Sequence, residues 1–408
     1  MKPMGPIPAG FKADSAGQLV IGGESAEALV ARAGDTPLFV YDFGLVRVRV
    51  AQLRDALPEG VRLHYAMKAN PMPELVSAMG QIVDGLDVAS AGELEIAVQA
   101  SSHVSFAGPG KRDRELQTAI KAGVTLNLES EGEAARALNI GESLGLTPKL
   151  AVRVNPDFDL KGSGMRMGGG AKPFGVDAAR VPALVRLILE SGAEWRGFHI
   201  FAGSQALDAS AIAETQRQTV ALAGELADAV GATPPLVNLG GGFGIPYFPG
   251  DAPIDLAHIG SELAQSLTKR ADSLATSEFA IELGRYLVGE CGVYLTRIVD
   301  RKISHGEVFL VTDGGLHHQL AASGNFGTVV RRNYPLAVAT RFDAPADEVA
   351  SVVGCLCTPL DRLGDQVAIP KADVGDLIAV FMAGAYGASA SPSRFLGHPE
   401  AKQLMVNN

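Results

Sequence analysis

The segment RLHYAMKANP carries a lysine where a strand should end: alternation places Leu63, Tyr65 and Met67 on one face and His64, Ala66 and Lys68 on the other, before Asn70-Pro71 stops the run. Lys68 therefore stands at a strand's carboxyl end. In an α/β barrel that end builds the active site, and a lysine projecting there is partly desolvated, which lowers its pKa and frees the amine for imine chemistry. Position alone equally suits a solvated lysine or an ion pair at the barrel mouth. In LGGGFGIP (239–246) three successive glycines, Gly240, Gly241 and Gly242, let backbone N–H groups close around a phosphate. The spacing is neither GxGxxG nor GK[ST], and the run alone is also an ordinary tight turn. In IELGR, Glu282 ends another strand, followed by Gly284 and Arg285. An acid at such a place keeps a pyridine nitrogen protonated and makes the ring an electron sink, and a nearby arginine grips phosphate with two N–H groups. A strand-end salt bridge is the plainer account of that pair. An amine, a phosphate turn and an acid for a ring nitrogen together suit pyridoxal 5'-phosphate.

Such residues need a scaffold that brings strand ends together. Eight apolar or alternating runs occur between Arg62 and Glu282: 62–68, 82–88, 103–108, 124–129, 149–155, 195–201, 235–241 and 278–283. Between them lie stretches such as PELVSAMG, AGELEIAVQA and ETQRQTVALAGELADAV, with apolar residues three and four apart. Eight βα units in sequence predict a closed (β/α)8 barrel of the TIM type, since an open doubly wound sheet usually has fewer strands and a nucleotide fingerprint after the first. After Arg285, β-branched runs separated by Gly, Asp and Pro predict an all-β domain. The early runs QLVIGG and TPLFVYD read as strands that join it. The expected division is 1–44 as N-terminal strands packing with the β domain, 45–285 as the barrel and 286–408 as the β domain. The glycine-rich segment 162–175 reads as a mobile lid.

Composition narrows the partner. Of 408 residues, 47% are hydrophobic and 20% charged, the balance of a folded chain with a sizeable core. A net charge of -10 argues against nucleic acid or an anionic membrane as partner, leaving a small molecule. Cys291, Cys355 and Cys357 make neither a disulfide framework nor a zinc pattern, and the N-terminus has no secretory apolar core, so the cytoplasm is the expected compartment. His317 and His318 are adjacent, and adjacent strand residues point to opposite sides, so no metal is assigned.

The order of motifs YAMKAN, DVASAGEL, GPGK, RVNP, GSQ, GGGFG, ELGR, CTPLD and GAYG resembles the barrel-type pyridoxal-phosphate decarboxylases, the family of diaminopimelate, ornithine and arginine decarboxylases, over nearly the whole chain. The runs LHYAMKANPMP, NPDFDLKGSGMRMGGGAKPFG and GFHIFAGSQ look most like the subgroup associated with exosortase systems. The resemblance implies that Lys68 forms the imine with pyridoxal 5'-phosphate and that Glu282 contacts the ring nitrogen. It implies that Ser204, Gly240 to Gly242, Arg285 and Tyr386 hold the phosphate, that Asp87 and Glu93 lie near Lys68, and that Arg153 and Gly284 belong to the same cofactor site. Cys357 matches a proton donor supplied by the partner subunit, which implies a homodimer with shared sites; outside the family it would read as a small buried hydrophobe.

Two departures bear on substrate. Diaminopimelate decarboxylases show a segment like HCHIGSQ whose second histidine covers the cofactor ring, whereas HIFAGSQ puts Phe201 there, able to stack but not to hydrogen-bond. His199 shares its strand face one layer deeper, where a core histidine is as good a reading. Relatives that bind a distal amine place an acid directly after the cysteine; CTPLD has Thr358 there, and its acid, Asp361, three positions on. A hydroxyl does not replace a carboxylate as partner of an ammonium. Arg285, Arg332, Tyr334, Thr358, Asp361 and Tyr386 are the substrate candidates, with Arg331 an alternative to Arg332 for a far carboxylate. The expected enzyme is an amino-acid decarboxylase whose substrate is carrier-tethered or otherwise modified. Meso-diaminopimelate decarboxylation, racemisation with a tyrosine base, a non-catalytic cofactor-binding protein and an inactive partner-binding homologue are the alternatives.

Overall fold

Strands β1 (Val61–Ala66), β2 (Gly85–Val88), β3 (Val104–Phe106), β4 (Thr125–Leu128), β5 (Lys149–Asn155), β6 (Glu194–Ile200), β7 (Leu236–Asn238) and β8 (Glu278–Leu283) close into a parallel barrel in a computed structural model of the chain. The structure describes all residues except 163, 167 and 325–331, and of Met165 and Arg166 only the backbone. The ring closes where β8 pairs with β1, Glu282 opposite His64, and where β4 pairs with β5, Asn127 opposite Ala151. All eight expected strands occur in the expected order. Helices Ala91–Ala100 and Glu131–Leu144 start alike, because β2 and β4 are followed by the patterns ASAGE and ESEGE. Ser90 and Ser130 accept hydrogen bonds from the N–H groups of Glu93 and Glu133, and those glutamates reach back to the N–H groups of Ala89 and Glu129.

The first departure concerns Lys68. β1 ends at Ala66, and Met67–Ala69 forms a single 3-10 turn, so Lys68 leaves the strand's alternation and is exposed rather than desolvated. The glycine-rich segment after β5 is tied to the barrel at several points: Gly164 N–H donates to Ser204 O, Gly168 N–H to Ala202 O and Gly175 N–H to a Glu129 carboxylate oxygen. The expected lid includes Ser163 and Met167, which lie outside the described residues.

The chain separates into two compact units, one of residues 50–244 and 253–284 and one of residues 1–49, 245–252 and 285–408. The N-terminus thus joins the β-rich unit as its apolar strands suggest, and so does the short stretch after the glycine turn. In this unit β9 (Gly292–Ser304) pairs antiparallel with β10 (Glu307–Thr312) and with the N-terminal strand Leu38–Asp42, while β10 pairs parallel with Glu348–Val353, making a mixed sheet. Leu19, Ile21, Leu38, Val40, Val293, Leu295, Ala379 and Phe381 form its core. Leu19–Ile21 contributes side chains to that core but pairs only within a separate small sheet. Helix Ala26–Ala33, unforeseen in the sequence reading, is capped by Ser25 and ended by Gly34 at φ 92°.

Candidate active site

Every barrel strand carries a polar residue toward its carboxyl end: His64, Asp87, Ser105, Asn127, Arg153, His199, Asn238 and Glu282, all but Ser105 buried. Polar side chains inside a barrel persist only when they satisfy one another. Ser105 Oγ donates to Asp87 and accepts from Asn127 Nδ2 at 3.3 Å. His64 Nδ1 lies 3.4 Å from Asp87 Oδ2. Burial opposes a charge on His64, but Asp87, with Glu282 and Asp84 adding, outweighs it and holds the ring's pKa above its ordinary value. Gly85 makes this histidine possible, since a Cβ there would stand 2.9 Å from His64 Nε2.

Glu282 is the centre of the opposite arc. Its Oε2 is 2.9 Å from His199 Nε2 and accepts from Asn238 Nδ2 at 3.4 Å. The His199 contact has the distance of an ion pair, while the ring's angle leaves both its nitrogens outside hydrogen-bond geometry. Burial pushes the Glu282 carboxyl up, and His199, then Lys68 and Arg153, more than reverse that, so it is held below the ordinary carboxylate range. His199 is thus the neighbour of the acid rather than an isolated core histidine. Arg153 pairs with Glu129 at 2.7 Å and lies over Phe174 at 5.2 Å. Burial raises the Glu129 carboxyl, but Arg153, the Gly175 N–H and Lys111 together depress it.

Lys68 Nζ stands 5.8 Å from the centre of the Phe201 ring. Glu93, half-buried, has its carboxyl raised by burial, with the Ala89 N–H and the charge of Lys68 pulling it back. The structure therefore gathers Lys68, Phe201, Glu93 and Glu282 in one electrostatic neighbourhood. The glycine turn is pressed against two strand ends: a Cβ on Gly241 would meet Glu282 O at 1.9 Å and one on Gly242 would meet Gly203 O at 2.4 Å. Gly240 N–H, expected to face a phosphate, instead donates to Asn238 Oδ1 at 2.9 Å. Ser204 pairs with the backbone of Met165, and a Cβ on Gly284 would meet Ala66 O at 2.8 Å.

In the β-rich unit, Arg285 Nη1 donates to Tyr247 OH at 2.8 Å, and its guanidinium lies 4.6 Å from the centre of the Tyr386 ring. Tyr386 adopts φ 54°, an unusual conformation for a bulky residue and one that concentrates at functional sites. Tyr334 is buried against Tyr247 and Phe248, and Arg332 is exposed with its guanidinium 3.7 Å from the centre of Phe248. Arg331 lies outside the described residues. Cys357 is exposed and Thr358 half-buried on a turn. Asp361 departs from its expected role: it is buried, and its two oxygens accept from Leu316 N–H at 2.7 Å and Leu356 N–H at 2.8 Å. It is a backbone clamp rather than an open carboxylate. Ser105, Asn127, Glu129 and Asn238 were not singled out in the sequence; their only signal was recurrence of a polar residue near each strand end.

The barrel residues fit pyridoxal 5'-phosphate: Glu282 is an ionised, buried acceptor for a protonated ring nitrogen, and Lys68 is an accessible amine. Within the β-rich unit, Arg285 holds a buried Nε without a hydrogen-bond partner, a donor suited to an anion. A barrel with this site is that of a cofactor-dependent amino-acid decarboxylase. Residues 43–289 match the pyridoxal-binding domain of the pyridoxal-dependent decarboxylases, and the chain belongs to that family as a pyridoxal-phosphate-dependent carboxy-lyase. It is 34% identical over 383 residues to the L-glutamyl-[BtrI acyl-carrier protein] decarboxylase of Niallia circulans, spanning 92% of this chain and 89% of that one. It is 31% identical over 401 residues to the diaminopimelate decarboxylase of Aquifex aeolicus, spanning 96% and 91%. Its fold matches the diaminopimelate decarboxylase of M. jannaschii in complex with L-lysine, with TM-score 0.85, 25% identity and coverage of 97% and 92%.

Proposed function

We propose that this decarboxylase acts on an amino acid without a free distal ammonium, its far end tethered to a carrier protein or otherwise modified. The observation that carries the reading is the state of CTPLD: Thr358 follows Cys357, and the motif's one carboxylate, Asp361, is committed to Leu316 and Leu356 N–H. No acid of that motif is left to meet an ammonium. The relative from Niallia circulans, whose name specifies an aminoacyl carrier protein, supports the same reading.

When bound, pyridoxal 5'-phosphate supplies a sink for the electron pair released as the bond to the carboxylate breaks. Lys68 Nζ would hold the cofactor covalently. Glu282, kept ionised by His199 with Lys68 and Arg153, would hold the proton on the ring nitrogen. Phe201 would pack against the cofactor, Asp87 and Glu93 would orient Lys68, and Arg153 would add positive charge near Glu282. Ser204, the N–H groups of Gly241 and Gly242, Arg285 and Tyr386 would bind the phosphate, with Gly284 beside the cofactor and Tyr334 and Arg332 toward the substrate. Cys357 delivers the proton to the α-carbon in the neighbouring copy of a homodimer. We further place the enzyme in the cytoplasm, in the exosortase-associated subgroup; among the described residues no helix is long and apolar enough to cross a membrane.

The test is carbon dioxide release from free meso-diaminopimelate, lysine, ornithine and arginine beside carrier-tethered aminoacyl substrates. Release from tethered substrates alone is expected. Release confined to meso-diaminopimelate would instead assign the activity of the Aquifex aeolicus relative. Lys68→Ala should lose both the visible absorbance of bound cofactor and turnover; retention of both would remove Lys68 from the mechanism.

A further inference from the structure

Among the described residues, His317, Cys355 and His398, from three separate segments of the β-rich unit, bring two ring nitrogens and a thiol within 4.8 Å of one another. Both ring nitrogens of His398 lie 3.9 Å from Cys355 Sγ, and the His317 and His398 ring centres are 5.0 Å apart. His317 is the unusual member. It is fully buried at 0% exposure, and neither Nδ1 nor Nε2 has a hydrogen-bond partner. Buried imidazoles normally satisfy their N–H at least. Its neighbour His318 does so on both sides, with Nδ1 3.0 Å from Tyr294 OH and Nε2 2.8 Å from Pro399 O.

The surrounding backbone holds the three segments in place. Asp361 accepts from the residue before His317 and from the residue after Cys355, hanging both loops on one carboxylate. Gly315 and Gly354 allow that approach, since a Cβ on either would stand 2.1 or 2.2 Å from an Asp361 oxygen. The third segment is fixed beside them through His318 Nε2 and Pro399 O. These contacts fix the backbone that carries His317 and Cys355 and the residue next to His398.

We propose that His317, Cys355 and His398 bind a zinc ion, with the fourth position open to water or another small ligand. Two imidazoles and a thiolate suit Zn2+ and not Mg2+ or Ca2+, which require oxygen ligands. A tetrahedral zinc ion places its ligand atoms roughly 3.3–3.7 Å apart. The 3.9 Å separation of His398 from Cys355 Sγ is close to that, and no pair of the three ligand atoms is more than 4.8 Å apart. Binding forms a zinc–sulfur bond and releases the Cys355 thiol proton to solvent. The alternative, Cys355 and His398 as a nucleophile and base, leaves the unpartnered His317 without a reason. Zinc assigned here revises the sequence expectation of no metal, which weighed the cysteines by their spacing and His317 with His318 by their adjacency, and had no means of bringing His317, Cys355 and His398 together.

The test uses full-length holoenzyme, treated with chelator, loaded with Zn2+ and freed of excess by gel filtration. One zinc per chain is expected, with sulfur among its nearest neighbours by zinc-edge X-ray absorption. Cys355→Ser and His398→Ala, both at partly exposed positions, should each weaken zinc binding by more than about 100-fold, whereas Cys357→Ser should retain it. Cofactor absorbance and circular dichroism establish that the variants are folded, and the absorption measurement needs no variant. A coordination shell without sulfur, zinc retained equally by wild type and both variants, loss in Cys357→Ser instead of Cys355→Ser, or no zinc after filtration would each overturn the site.

Discussion

Glu282 is a buried acid whose charge survives because His199, 2.9 Å away, together with Lys68 and Arg153 more than offsets the cost of burial. Its folded pKa lies below the unfolded value of about 4.3, so its contribution to stability is present above that value and is lost as pH falls through the folded one. Removing His199 removes the foremost influence opposing burial, and the carboxyl pKa rises. His199→Ala should therefore move the acidic limb of the rate profile to higher pH and lower turnover by about tenfold or more near neutrality. A profile parallel to wild type would return His199 to an ordinary core role. Thr358 gives a second test at the same scale. Thr358→Glu restores an acid after the cysteine and should raise kcat/KM for a free diamino acid relative to a tethered substrate; an unchanged ratio would separate Thr358 from selectivity. Lys68 and Glu282 could be singled out because each sits at a strand end in a short motif whose residue types have few chemical uses, whereas Cys357 was singled out only by resemblance to the family. The partnership of His199 with Glu282 was not, because it depends on the stagger of eight strands, which local patterning does not encode.

The element that joins the site's parts is the glycine turn after β7. Glu282 N–H donates to Gly240 O at 2.8 Å, and Gly241 lies so close to Glu282 O that only a hydrogen fits between. Gly241→Ala must therefore displace the end of β8, and with it Glu282. A cost of about 1–3 kcal/mol in stability is expected, read by thermal unfolding, with weaker cofactor retention on dialysis. Unchanged retention would show that the turn's shape is independent of the cofactor. The eight strands themselves were legible because apolar runs and helical periodicity alternate without interruption from Arg62 to Glu282. The end of β1 was not, since alternation runs smoothly through Met67 and Lys68 while the backbone has already turned at Ala66. Helix Ala26–Ala33 was obscured by its length, although Ser25 and Gly34 bracket it as caps.

At the scale of the whole molecule, the role proposed for Cys357 requires a second copy. Cys357 is exposed on its own chain, as a residue serving a neighbour would be. If each site combines Lys68 of one protomer with Cys357 of its partner, two inactive variants complement each other. A heterodimer of Lys68→Ala and Cys357→Ala chains has one site with both residues intact and one with neither. Equal mixing after dissociation and reassociation makes half of the dimers mixed, so activity should recover to about one quarter of wild type by random pairing. Heterodimer formation is measured independently by native mass spectrometry of differently tagged chains. Mixed dimers without recovered activity would place Cys357 outside the partner's chemistry, and recovery that follows the mixed-dimer fraction would place it within.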